Sequence, residues 1–141
     1  MNRDTAQCIV QARMAELAGA LAFIDGFCAA RRIGSDARLR LTLVVEELFS
    51  NTVQHGHRGD AASPVRLVLA LGAHGIELFY EDTAPAFDPL AWARAHPAPP
   101  TPEAETVGGR GVLLVQRLCS TARYAFEDGC NRLWLGLAMQ P

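Results

Sequence analysis

A two-layer α/β sandwich, its sheet mixed but mostly antiparallel and covered by helices on one face, is the fold class this sequence predicts. Three observations carry it. Two consecutive segments between Met14 and Gly56 repeat apolar residues at helical spacing. Apolar runs on either side of Gly72 to Gly75, and again around Asp128-Gly129, come in pairs separated by turn residues, as hairpins require. The chain has 141 residues, enough for one buried core, and no stretch reads as an interdomain linker or a repeat.

In order, "AQCIVQA" reads as a short first strand, and "MAELAGALAFIDGFCAARRIG" as a helix with Leu17, Leu21, Ile24 and Cys28 on its apolar side and Gly34 as its stop. Ser35 is placed as the N-cap of a second helix, which buries Leu41, Val44, Val45, Leu48 and Phe49 and ends at Gly56 or Gly59. "PVRLVLAL" and "GIELFYED" form a hairpin. A short helix at Pro89 to Ala95 precedes a loop carrying Pro97, Pro99, Pro100 and Pro102. "GVLLVQRLCSTA" is expected as a third helix, with Gly108, Gly109 and Gly111 at its start. "RYAFED" and "NRLWLGLAM" close the fold as a second hairpin.

Composition narrows the function classes. Half the residues are hydrophobic, and no apolar run is long enough to span a bilayer, so a soluble protein is expected without a membrane partner. The N-terminus lacks the apolar core and cleavage site of a secretory signal, which points to the cytoplasm. Cys8, Cys28, Cys119 and Cys130 form no C-x-x-C pair, so reduced thiols are expected, with neither zinc nor disulfides. A net charge of -2 without a basic stripe argues against nucleic acid as a partner. All 13 basic residues are arginine. A chain without lysine cannot be a P-loop NTPase, so a triphosphate would have to be held by backbone amides, arginine and a metal ion.

The segment "VVEELFSNTVQHGH" sets polar chemistry into an otherwise buried helix. Glu47, Asn51 and His55 recur every fourth residue and so share one face. A carboxylate and an amide oxygen at this spacing can orient a nucleophilic hydroxyl and complete the oxygen shell of magnesium. A solvated helix face shows the same pattern. Asp82 closes an apolar strand and can accept from an exocyclic amine such as that of adenine; an ordinary strand-ending turn aspartate is the plainer reading. "GGRGVLLV" aims backbone amides and a helix N-terminus at an anion, or is simply a glycine turn. His55 either lines the phosphate end or is satisfied by nearby backbone, and Arg110 either reaches a phosphate or points to solvent.

These three motifs, in this order, resemble the GHKL (Bergerat-fold) ATPases, and among them the small RsbW-like anti-sigma-factor serine/threonine kinases. The likeness lies in "EELFSNTVQHG", "EDTAPAFDP" and "GGRGVLLVQRL", with "YAFEDGCNRLWLGL" similar to the family's closing hairpin. The resemblance implies one histidine-kinase-like ATPase domain over residues 1–141. It implies Glu47 as general base, Asn51 as magnesium ligand and Asp82 as adenine reader. Gly109 and Gly111 would cradle phosphate, with Arg110 and Val112 beside them, and the loop from His96 to Val107 would be a lid. Ala84 stands where that fold usually has glycine. The cofactors implied are ATP and Mg2+. The partners implied are a sigma factor or other regulatory target, a STAS-type antagonist as phosphorylation substrate, and a second copy in a homodimer. The alternative is a nucleotide-gated binding module that sequesters its target without phosphotransfer.

Overall fold

The computed structural model describes residues 4–96 and 115–139. Its sheet has five strands: β1 (Thr5–Gln11), β2 (Pro64–Gly72), β3 (Gly75–Asp82), β4 (Thr121–Glu127) and β5 (Cys130–Ala138). They lie in the order β1-β2-β3-β5-β4, and all four neighbouring pairs are antiparallel. The α/β sandwich is therefore as expected, with the mostly antiparallel sheet wholly antiparallel among the described residues. None of the described helices is long and apolar enough to cross a membrane.

Burial alternates along the central strands β2, β3 and β5. On β3, Ile76, Leu78, Tyr80 and Asp82 are buried on the side of the helices, while Glu77, Phe79 and Glu81 face away. Against the inner face pack α1 (Leu17–Ala30) and α2 (Ser35–Ser50). Ile24, Phe27 and Cys28 of α1 and Leu41, Val44, Val45, Leu48 and Phe49 of α2 join Leu67, Leu69, Leu78, Leu133 and Leu135 in one cluster. The apolar residues read as the inward side of the second helix are all buried. Burying a side chain such as Phe49 contributes about 1.5–3 kcal/mol relative to leaving it in water.

On the face turned away from α1 and α2, arginines lie over the aromatic rings. Phe79 and Trp134 sit opposite each other with ring centroids 5.3 Å apart. Arg123 lies 3.7 Å over the Trp134 ring and Arg66 5.1 Å over Phe79. Glu81 takes hydrogen bonds from Arg66 at 3.1 Å and Arg132 at 2.7 Å. Partial burial pushes the Glu81 carboxyl upward, but the hydrogen bonds and charges of the two guanidiniums outweigh it and hold it below the ordinary value.

Several boundaries differ from the sequence expectation. Gly34, in extended backbone, is the N-cap of α2, and Ser35 is its first residue without a capping bond. The first helix is preceded by a 3-10 turn, Met14–Glu16. The second helix does not stay α-helical to Gly56: Asn51–Gly56 form a π-helical turn, with His57 N donating to Thr52 O at 2.9 Å. The third helix was expected to run through Ala122. It is helical at residues 115–118 and gives way before Thr121, because Thr121 and Ala122 pair with Gly136 and Leu135 in the sheet. Asp128 and Gly129 both take positive φ, 53° and 74°, the geometry of a two-residue type I′ turn. All four cysteines are free.

Candidate functional site

The site lies where α2 ends beside the ends of β3 and β5. A cavity of about 310 Å³ opens there, within the size range of small-molecule sites. Asn51 and His55 line it, as do Asp82 and Ala84. In a π turn of roughly 4.4 residues, the fourth and fifth residues both fall near the same side, so Asn51, His55 and Gly56 share the cavity wall. Neither Asn51 nor His55 has a side-chain partner among the described residues. Their polar atoms are free for a ligand.

Glu47 stands one helical turn before Asn51 on the same stripe and is half-buried. It has no side-chain partner among the described residues, and it does not line the cavity formed by them. The sequence expectations for Gly108, Gly109, Arg110, Gly111 and Val112, and for the lid after His96, lie outside the described residues. His96 itself ends α3 (Pro89–Ala95), stacked on Trp92 with ring centroids 4.0 Å apart. Asp88 caps that helix, accepting from Leu90 N at 2.9 Å and Ala91 N at 3.0 Å.

At the inner end of the cavity Asp82 is 7% exposed and accepts hydrogen bonds from Asn131, Ala84 and Thr52. Its Oδ1 accepts from Asn131 Nδ2 at 2.9 Å and from Ala84 N at 3.1 Å. Its Oδ2 lies 2.7 Å from Thr52 Oγ1. The strand register explains the first bond, since Asn131 is the direct partner of Asp82 across β3 and β5. Asn131 also donates to Ala84 O and Pro85 O, at 2.9 and 3.2 Å, while its Oδ1 accepts from Phe87 N and from Tyr124 at 3.0 and 2.5 Å. One amide thus fixes the loop after β3 and orients the carboxylate.

Ala84 proves to be one half of a fitted pair. A Cβ on Gly56 would come within 2.7 Å of the Ala84 Cβ, closer than side chains approach one another. The Ala84 methyl is accommodated by the missing side chain of Gly56, and both residues line the cavity. Burial pushes the Tyr80 phenol well above its ordinary value, with the nearby Asp82 charge in the same direction and the Thr52 hydrogen bond opposing. The Tyr124 phenol is also raised, chiefly by burial.

Sequence reasoning missed Thr52, Tyr80, Tyr124, Asn131 and Gly56 as parts of this site. Tyr80 was reachable, since the two-residue period puts it on the same face as Asp82. Asn131 was not, because nothing local shows which residue of β5 meets Asp82.

The family model for the histidine kinase-like ATPase domain matches residues 10–137. No curated protein matches the chain.

Proposed function

The chain belongs to the histidine kinase-like ATPase domain family, and from that premise we propose that it is an ATP-dependent serine/threonine protein kinase and anti-sigma factor of a bacterial partner-switching system. One observation carries the reading. Asn51 and His55, unpartnered among the described residues, line a cavity whose inner end is an acceptor carboxylate, Asp82, held by Asn131, Ala84 and Thr52.

The residues fit a nucleotide. Asp82 presents oxygen to the exocyclic amine of adenine, and the flanks supplied by Leu48, Ala84, Pro85 and Leu133 are apolar, as a base requires. They also fit magnesium carried in by the nucleotide. The described residues contain no group of three or more His, Cys, Asp or Glu able to hold a metal alone, while magnesium in phosphoryl-transfer sites takes one or two protein oxygens and completes its shell with phosphates and water. Asn51 would supply the protein oxygen, and the ion would neutralise charge on the phosphates. His55, on the same wall, would contact the ligand beside Asn51.

Glu47 has the remaining task. A carboxylate one turn from Asn51 can accept a hydrogen bond from an attacking serine or threonine hydroxyl and take its proton as the phosphoryl group transfers. The substrate is a STAS-type antagonist, and the new phosphate, adding roughly two negative charges, would drive it off the surface that bound it. The sequestered target is a sigma factor or another regulatory protein, held by a cytoplasmic homodimer.

A second reading has one observation in its favour: Glu47 does not line the cavity of the described residues. A nucleotide-gated binding module would need Asn51 and Asp82 but not Glu47. The deciding experiment is melting temperature with and without Mg-ATP for wild type, Glu47→Ala and Asn51→Ala, followed by transfer of labelled phosphate to the cognate antagonist. Ligand at about a hundred times its dissociation constant adds about 2.7 kcal/mol of stability. The kinase predicts that Glu47→Ala keeps the ATP shift and loses transfer, while Asn51→Ala loses most of the shift. Partner release that needs ATP but survives in Glu47→Ala would establish the binding module instead.

A further inference from the structure

Glu47 stands between two unlike surfaces of α2. Toward the C-terminus its stripe continues into Asn51 and His55 on the cavity wall, and toward the N-terminus, at the same four-residue spacing, into Leu43 and Leu39. Leu39 is 57% exposed, the most of any large apolar side chain described, and Leu43 is half-buried. Neither belongs to the core cluster, and neither lines the cavity. The core side of the helix is filled by Leu41, Val44, Val45, Leu48 and Phe49, so the two leucines add nothing to the packing of α2 on the sheet. They form an apolar surface that ends at the candidate base.

In the transfer, the acceptor oxygen bonds to the γ-phosphorus as the bond from that phosphorus to the β,γ-bridging oxygen breaks, ADP leaves, and the acceptor's proton passes to Glu47. The nucleotide fills the cavity side of Glu47, so the acceptor residue arrives from the other side, where Leu43 and Leu39 lie. Along the helix Leu43 is about 6 Å and Leu39 about 12 Å from Glu47. An extended segment advances about 3.3 Å per residue and turns every second side chain to the same face, so the side chains about two and about four positions from the acceptor meet Leu43 and Leu39. Resting on the kinase reading above, we propose that Leu39 and Leu43 are specificity-determining residues for the protein substrate: they dock an extended segment with apolar side chains two and four positions from its serine or threonine. Charge adds a second requirement. Glu46, beside Glu47, has no hydrogen-bond or ion-pair partner among the described residues, so this end of the surface favours a basic over an acidic neighbour of the acceptor.

The test uses the full chain, labelled Mg-ATP and a positional-scanning library of short peptides with a central serine or threonine, read as the initial rate of transfer. Wild type should act at least about fivefold faster where leucine, isoleucine, valine or methionine, rather than alanine, stands two and four positions from the acceptor on one side. Leu43→Gln should lose the preference at the nearer position and Leu39→Gln at the farther one, each leaving the other in place. Leu39→Glu should convert the farther preference from apolar to arginine or lysine, a change of specificity that lost stability does not produce. Melting temperature with and without Mg-ATP is read for every protein, and Leu43→Ala replaces Leu43→Gln if that variant does not fold. Transfer without these preferences, an acidic residue preferred beside the acceptor, or preferences that the variants leave unchanged overturns the docking surface while the kinase reading stands. A wild type that gains an ATP shift yet labels no peptide overturns it as well. A wild type without an ATP shift brings down the nucleotide reading, and the docking surface with it.

Discussion

Single atoms decide much at this site. The Gly56 and Ala84 pair shows how a substitution reads differently once its neighbour is known: alone, alanine for glycine after Asp82 suggests a cramped pocket, yet the space comes from Gly56. Gly56→Ala should therefore cost about 1–3 kcal/mol by overpacking. The double variant Gly56→Ala with Ala84→Gly should recover most of that loss, giving a coupling energy of about 0.5–3 kcal/mol in a denaturation cycle. Strict additivity would mean that the two positions do not share the space. A second residue-scale expectation concerns the thiols. Burial raises those of Cys8 and Cys28 and pushes Cys119 up to about 12, so near neutral pH these groups stay protonated. Alkylation by iodoacetamide at pH 8 should be slow at Cys119 in the folded chain and fast after denaturation, which peptide mapping would record.

Elements bring these atoms together, and their ends matter more than their middles. The middle of α2 is a buried stripe, while its last turn widens to π geometry at the cavity wall. The sequence shows the stripe because apolar spacing is written locally; it does not show the widened turn, since the same residues satisfy an α-helical pattern. Likewise the expected third helix overran into β4, because Thr121 and Ala122 are compatible with either state and only pairing with β5 selects the strand. Two end devices can be tested by denaturation. Asp88→Ala removes the cap of α3 and should cost about 1 kcal/mol. Gly129→Ala places a Cβ at φ 74° in the tight turn and should cost about 1 kcal/mol as well, whereas an asparagine there should be tolerated better.

At the scale of the molecule, the two faces of the sheet are stabilised differently. The inner face depends chiefly on apolar burial. The outer face depends on Glu81 between Arg66 and Arg132. Because the folded carboxyl is held below its ordinary value, its contribution is complete above the unfolded carboxylate range and is lost as pH falls through the folded value. Stability measured from pH 6 down to pH 3 should thus decline less steeply in Glu81→Gln than in wild type. Equal slopes would show that this group takes no part in the acid response.

The sequence by itself determined the two layers, the strands and helices within a few residues, the inward side of α2, and the placement of Asn51, His55, Asp82 and Ala84 at one site. Those features follow from periodicity and from motifs that are local in the chain, apart from the bringing of β3 to the end of α2, which the resemblance to GHKL ATPases implied. Only the tertiary structure decided that Asn131 faces Asp82, that Thr52 and Tyr80 form a hydroxyl chain beneath it, and that Gly56 makes room for Ala84. Each of these is a contact between residues at least 28 apart in sequence. Register across strands and the approach of a helix end to a loop are set by the packing of the whole core, which no local pattern of side chains encodes.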